Sequence, residues 1–323
     1  MSALDRRREL TPCQAWGGDG DSLTSRAVGA YLGLAVGDAL GATLEFLTPR
    51  EIRQQYGQHR DITGGGWLRL RKGQVTDDTE MTLALGRSIL ESGKVDPGAV
   101  AEAFSAWMST NPVDIGNTVR RGISLYRRTG VTEVPENDHD AGNGACMRCL
   151  PVALAYLGAE DFIVAEANRR QSHVTHHSTL SDQGTLTVIR MVQCALLTRD
   201  RSGLKRLADD LARAETRFSY ENKRMENPSG YIVDTLRAVF QSLFATDSFE
   251  SALVDVVNRG GDSDTTGAIL GMIAGALYGA ADIPQRWLSA LDSNVRAACL
   301  EQVHALLSLS RLFRGPGEPG ASS

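Results

Sequence analysis

Two short stretches carry most of the residues able to do chemistry: Arg259-Gly260-Gly261-Asp262-Ser263-Asp264-Thr265-Thr266-Gly267 and Val75-Thr76-Asp77-Asp78-Thr79-Glu80. Each is followed by an apolar-rich run, Ala268 to Leu277 in the first case and Met81 to Leu90 in the second. Asp, Ser and Thr are favoured helix N-caps. Asp77 with Glu80, or Thr76 alone, would also serve as a capping device. Taken singly, each turn reads as a cap. A cap needs one such residue, however, and five crowd between Asp262 and Thr266. If the two turns meet, Asp77, Asp78, Asp262 and Asp264 repel one another unless a cation lies between them. A helix dipole favours each carboxylate by only about 0.3–1 kcal/mol, too little to hold such a group together. An all-oxygen donor set suits Mg²⁺, Mn²⁺ or Ca²⁺ better than zinc.

The elements that would position these turns carry a pattern of their own. Ser25 to Ala42 reads as a helix with Gly29, Gly33, Gly37 and Gly41 at every fourth position, and Gly267, Gly271, Gly275 and Gly279 repeat that spacing. Residues four apart share one helical face. A glycine in a helix costs about 1 kcal/mol against Ala, and what it permits is close approach of another backbone. The two striped helices are therefore expected to pack together in the core, carrying Glu45 toward the second acidic turn. Two independent buried helices, with Glu45 solvated, is the competing reading.

Further helices are expected over Pro49 to Tyr56, Pro97 to Met108, Asp182 to Leu197, Gly203 to Thr216, Ile232 to Phe244, Phe249 to Asn258, Pro284 to Leu291 and Asn294 to Leu312. No alternating strand pattern stands out. The fold class is all-α: one compact multi-helix domain over 25–312, with a flexible extension expected at 1–24 and a disordered tail at 313–323. Loops carry the remaining candidates. Asp114 lies in Asn111 to Thr118, where an N-cap or an Asx turn competes with a site role. Gly142-Asn143-Gly144 offers backbone N–H groups ahead of a helix, or a plain turn. His173, His176 and His177 form either a substrate-facing loop or solvated caps. Tyr231, at a loop–helix junction, either stacks on a base or packs in the core. Gly64-Gly65-Gly66-Trp67 is expected to be irregular and able to close over a ligand. Cys146 and Cys149 head an apolar run without a second pair, so packing is expected rather than zinc binding.

The formal charge of −5 gives no general affinity for nucleic acid or anionic membrane. Five scattered cysteines without a framework point to a reducing cytoplasm. Arg6-Arg7-Arg8 is followed by no apolar segment, so no signal peptide is expected. No stretch approaches the roughly 20 apolar residues of a membrane span.

Four blocks together resemble the ADP-ribosylglycohydrolase family: Gly33-Leu34-Ala35-Val36-Gly37-Asp38-Ala39-Leu40-Gly41, Thr76-Asp77-Asp78-Thr79, Gly142-Asn143-Gly144 and Gly260-Gly261-Asp262-Ser263-Asp264-Thr265. Three segments are similar to its nitrogenase-regulating members in particular: Thr63 to Leu70, Pro112 to Thr118, and Tyr231-Ile232-Val233-Asp234-Thr235. The resemblance implies an all-α fold with two Mn²⁺ or Mg²⁺ in a cleft. It maps metal ligation onto Thr76, Asp77, Asp78, Asp262, Asp264 and Thr265, and catalytic roles onto Asp114 and Glu45. It assigns Gly142, Asn143 and Gly144 to the diphosphate, Tyr231 to the adenine, and His176 to the substrate loop. Many members read Thr-His-x-x-Pro-Leu-Ser where this chain has Thr175 to Ser181, with Ser178 and Thr179 at the departing positions. The implied reaction is metal-dependent hydrolysis of the bond between ADP-ribose and a protein arginine, with ADP-ribosylated nitrogenase iron protein as substrate. A PII signal protein and an ammonium channel are the further partners implied, with a cytoplasmic monomer reversibly associated with the membrane through a partner. The alternatives are another ADP-ribosyl linkage or a toxin-modified target, and a non-catalytic ADP-ribose-binding module.

Overall fold

A computed structural model describes residues 22–137 and 141–313. The extension up to residue 21, residues 138–140 and the tail beyond 313 lie outside the described residues. Among those described there are fifteen α-helices and no strand. In chain order they are α1 (Leu23–Gly41), α2 (Pro49–Tyr56), α3 (Asp77–Ser92), α4 (Pro97–Met108), α5 (Asn117–Thr129), α6 (Gly144–Met147), α7 (Leu150–Ala155) and α8 (Asp161–Ser172). The second half adds α9 (Thr179–Thr198), α10 (Arg201–Ala214), α11 (Ile232–Ala245), α12 (Phe249–Val257), α13 (Ser263–Tyr278), α14 (Gln285–Ala290) and α15 (Ser293–Leu309). The all-α class expected from periodicity is what the chain adopts.

The fold is built on α1 against α13. Both are buried on nearly every face, as befits helices that are apolar or small all round. They run antiparallel with their glycines in register. A Cβ placed on Gly33 would lie 2.3 Å from the Gly271 carbonyl oxygen, and one on Gly37 would lie 2.0 Å from that of Gly267. The reverse holds as well: a Cβ on Gly271 would reach the Gly33 carbonyl oxygen at 2.0 Å. At the far end Gly41 faces the Ser263 carbonyl, and the Ser263 hydroxyl donates to the Gly41 carbonyl at 2.8 Å. Close packing of the stripes, expected from the spacing, is thus the central contact of the molecule. Its register sets the end of α1 beside the start of α13, so Glu45 arrives at the second acidic turn.

The other helices surround this pair. Helices α3, α9, α11, α12 and α15 each pack on one or both of its members. Two local outcomes differ from the sequence reading. Helix α8 had no expected counterpart, because its buried face mixes Val164 and Ala167 with Asn168, Gln171 and Ser172, which blurs the apolar period. Helix α9 starts at Thr179, ahead of the expected Asp182, so Asp182 lies within its first turn rather than opening it. Cys146 and Cys149 are buried packing residues, as expected.

Candidate active site

Helix capping does not account for the two acidic turns. Thr76 and Asp262 occupy the N-cap positions of α3 and α13, yet neither side chain makes a cap hydrogen bond. The start of α3 is capped from elsewhere. Asp38, fully buried on α1, accepts from the backbone N–H of Thr76 at 3.0 Å and of Thr79 at 3.1 Å. It also accepts the hydroxyls of Thr76 at 2.9 Å and Thr79 at 2.5 Å. Helix α1 thus holds both turns: the first through Asp38, the second through its glycines. Asp38 was quoted in the sequence only as part of a motif. A charged residue inside a small, apolar helix was the signal that marked it.

With α3 capped in this way, its own acids are released for other work. Asp77 and Asp78 are buried, as are Asp264 and Thr265 on α13. Burial, then the neighbouring carboxylates, push Asp78 and Asp264 well above the carboxylate range; burial and Asp114 do the same for Asp77. Asp78 Oδ1 is buried without a hydrogen-bond partner among the described residues. Its Oδ2 accepts the Thr76 hydroxyl at 3.1 Å and, more weakly, that of Thr265 at 3.5 Å, so the two turns meet. An orphaned carboxylate oxygen within an all-oxygen, mutually repelling set fits a hard divalent cation.

A cavity of about 660 Å³ opens over this cluster. Glu45, Asp77, Asp114, Asp262, Asp264 and Thr265 line it, together with Gly142, Asn143, Gly144 and His176. Thr76, Asp78 and Tyr231 are not among its lining residues. Glu45, Asp114 and Asp264 bring carboxylate oxygens within 4.8 Å of one another. Burial pushes Glu45 up to about 8, with Asp114, Asp262 and Asp38 adding to the rise, although the Trp67 indole N–H donates to its Oε2 at 2.6 Å. Asp114 is also raised, chiefly by burial; its Oδ1 accepts the Ile115 N–H at 2.7 Å. The helix cap after it is Gly116, so Asp114 is no N-cap. The Gly116 N–H instead reaches Asp77 Oδ2 at 3.3 Å, tying the Asp114 loop to the first turn.

Asn143 acts here through its side chain. Its amide donates to Asp262 Oδ2 at 2.6 Å and to the Thr235 hydroxyl at 2.9 Å. The Gly142 backbone pairs with Tyr231, the N-cap residue of α11, whose ring is partly buried. The helix after Asn143, α6, has only four residues. The three histidines part company. His176 is buried in the cavity wall, held down to about 3 first by burial and then by the charges of Arg148 and Arg121. His173 and His177 stack with ring centroids 3.8 Å apart and pair with Glu133; neither lines the cavity. Sequence reasoning passed over Phe46 and the 227–230 loop, both of which line it.

Comparison with known proteins identifies the family. The sequence profile of the ADP-ribosylglycohydrolase family matches residues 19–319. The ADP-ribosyl-[dinitrogen reductase] glycohydrolase of Rhodospirillum rubrum is 50% identical over 297 residues, covering 91% of this chain and 99% of that protein. The ADP-ribosylarginine hydrolase Tri1 of Serratia proteamaculans (strain 568) is 31% identical over 295 residues, covering 86% and 78% respectively. A solved chain described as an ADP-ribosylglycohydrolase-related protein complex superposes with a TM-score of 0.79 at 32% identity, covering 89% of this chain and 99% of that one. The chain belongs to the ADP-ribosylglycohydrolase family.

Proposed function

We propose that this member of the ADP-ribosylglycohydrolase family removes ADP-ribose from an arginine of a target protein, and that the target is ADP-ribosylated nitrogenase iron protein. The observation that carries the reading is the convergence of Glu45, Asp77, Asp114, Asp262 and Asp264 on one cavity with no Lys or Arg in its lining among the described residues. Its volume falls in the range of small-molecule sites, roughly 300–1,000 Å³. Cleavage at an anomeric carbon develops oxocarbenium character, which flanking carboxylates stabilise. The 50% identity to the R. rubrum enzyme supports the particular target.

In this reading Thr76, Asp77, Asp78, Asp262, Asp264 and Thr265 hold two divalent ions, Mn²⁺ or Mg²⁺. When bound, such ions hold the ribose hydroxyls and lower the pKa of a water. The chain's own groups handle the proton of the leaving guanidine. Glu45 is one carboxyl placed to handle it: burial pushes it up to about 8, a shift that favours the protonated form. Asp114 lies within the same cluster as a second proton-handling carboxylate. Asn143 fixes the orientation of Asp262. His176 stays neutral and packs against Gly142 and Gly144, which spares the pocket a competing cation. Tyr231 sits outside the cavity lining, so an adenine role requires its ring to turn toward the ligand. Control by a PII signal protein and by an ammonium channel, in a cytoplasmic monomer, belongs to the same proposal. Among the described residues no helix is long and apolar enough to cross a membrane.

The test is release of ADP-ribose from arginine-ADP-ribosylated nitrogenase iron protein, with chelated enzyme and after Mn²⁺ is restored. Metal-dependent release is the expected result. Tight binding of ADP-ribose without release under saturating Mn²⁺ would overturn the enzyme reading in favour of a binding module.

A further inference from the structure

The mouth of the cavity carries two large apolar rings that the reaction as described does not use. Phe46 is 64% exposed and Trp67 is 53% exposed, and both line the cavity. Their centroids lie 5.2 Å apart with the planes tilted by 51°. Each is held in place. Phe46 has a φ of 64°, in the left-handed region that a bulky residue seldom adopts. Its N–H donates to the Gly261 carbonyl at 2.8 Å, locking it beside the second acidic turn. Trp67 is pinned by its indole N–H on Glu45. Strain and a fixed hydrogen bond thus keep two aromatic faces in water at the edge of a strongly acidic pocket.

The chemistry of that notch selects its occupant. Aromatic faces attract cations, and the lining supplies five carboxylates with no Lys or Arg among the described residues. Among the described residues the cation–π contacts of the chain lie at Phe104, Tyr220 and Trp287. None of those contacts involves Phe46 or Trp67. We infer that Phe46 and Trp67 form the acceptor subsite, a notch that holds the guanidinium of the modified arginine by cation–π contact and selects it over neutral acceptors. This rests on the arginine-linked reading above. Guanidinium is planar and weakly hydrated, and so stacks on an aromatic face where a serine acceptor gains nothing. A purine ring is the alternative occupant, and it would be recognised on ADP-ribose itself.

The experiment compares the full-length protein with Phe46→Leu, which keeps apolar bulk without a π face, and Phe46→Tyr, which keeps the ring. Each is assayed on ADP-ribosyl-arginine and ADP-ribosyl-serine peptides, and ADP-ribose affinity is measured by calorimetry. Thermal melts establish that each variant is folded. Phe46→Leu is expected to lower kcat/KM on the arginine peptide by about 2- to 30-fold. The serine peptide and the Kd for ADP-ribose should stay within about twofold, and Phe46→Tyr should behave as wild type. An equal loss on free ADP-ribose overturns the inference in favour of base stacking. Wild-type turnover of the arginine peptide with Phe46→Leu unchanged overturns the inference alone. Wild-type turnover confined to the serine peptide overturns the arginine reading together with it.

Discussion

Replacing Gly37 by alanine tests the central packing and its link to the site. The added Cβ would lie 2.0 Å from the Gly267 carbonyl oxygen, 2.4 Å from its carbon and 2.9 Å from the Ala268 nitrogen. Every one of these is a backbone atom, so no rotamer change relieves the clash. Ordinary contact needs roughly 3.5 Å, so α1 and α13 must part by about 1 Å or more. Alanine returns about 1 kcal/mol of helix propensity. Overpacking costs about 1–3 kcal/mol, occasionally more, and two buried backbones sit at the severe end. A net loss of about 2 kcal/mol follows, and at roughly 2–4 °C per kcal/mol that lowers Tm by about 4–8 °C.

The same shift acts on the site. Gly37 adjoins Asp38, which holds the Thr76–Thr79 turn, while α13 carries Asp262 and Asp264. Parting the helices separates the two halves of the acidic cluster. Mn²⁺ at 100 times its Kd stabilises a protein by about 2.7 kcal/mol, and a tenfold weaker site forfeits about 1.4 kcal/mol of that. Thermal melts with and without Mn²⁺ read both effects. Gly98→Ala serves as the propensity control, since its Cβ meets only Asp96 Oδ1, at 3.2 Å. Its Tm should hold or rise. If Gly37→Ala melted within 1 °C of wild type and kept the full Mn²⁺ response, the packing account of the site would be wrong.

Three further predictions follow from the buried groups. Asp78→Asn should abolish Mn²⁺-induced stabilisation, while the metal-free protein becomes no less stable because a repelled buried carboxylate is gone; calorimetry showing wild-type Mn²⁺ binding would exclude Asp78 as a ligand. Glu45→Gln keeps an acceptor for Trp67 but has no proton to give, so turnover should fall by about 10²–10⁴ with ADP-ribose affinity retained; near-normal turnover would remove Glu45 from proton transfer. His176 is held at about 3 in the fold against an ordinary value of 6.5. Between those values the unfolded chain takes up the proton and the folded one does not. Its stabilisation is therefore complete above pH 6.5 and is lost as pH falls toward 3, by up to about 1.4 kcal/mol per pH unit. Urea unfolding from pH 6.5 to 4.5 should be steeper in wild type than in His176→Asn; parallel profiles would contradict the buried neutral imidazole.

The glycine stripes were legible because their requirement is local and their consequence is not. A spacing of four fixes a face, and a face without Cβ atoms has one use in a buried helix. That pointed to α1 packing on α13 and to Glu45 lying toward the second acidic turn. The acidic turns were legible only as an excess of carboxylates over what a cap needs. Which carboxylate caps, and which is left over, is settled by N–H groups distant in sequence. Asp38 takes the cap of α3 from about forty residues upstream, and Asp77 and Asp78 are freed by that act. The histidines make the same point in reverse. His176 enters the cavity wall while His173 and His177 turn to Glu133, although the three share one pentapeptide. Asn143 likewise has a partner its spacing did not reveal, its amide donating to Asp262. Residue type and spacing therefore named the chemistry available, whereas the allocation of roles depended on partners that only the paired α1 and α13 bring within reach. A substitution that parts those two helices should disturb the site more than many substitutions at its rim.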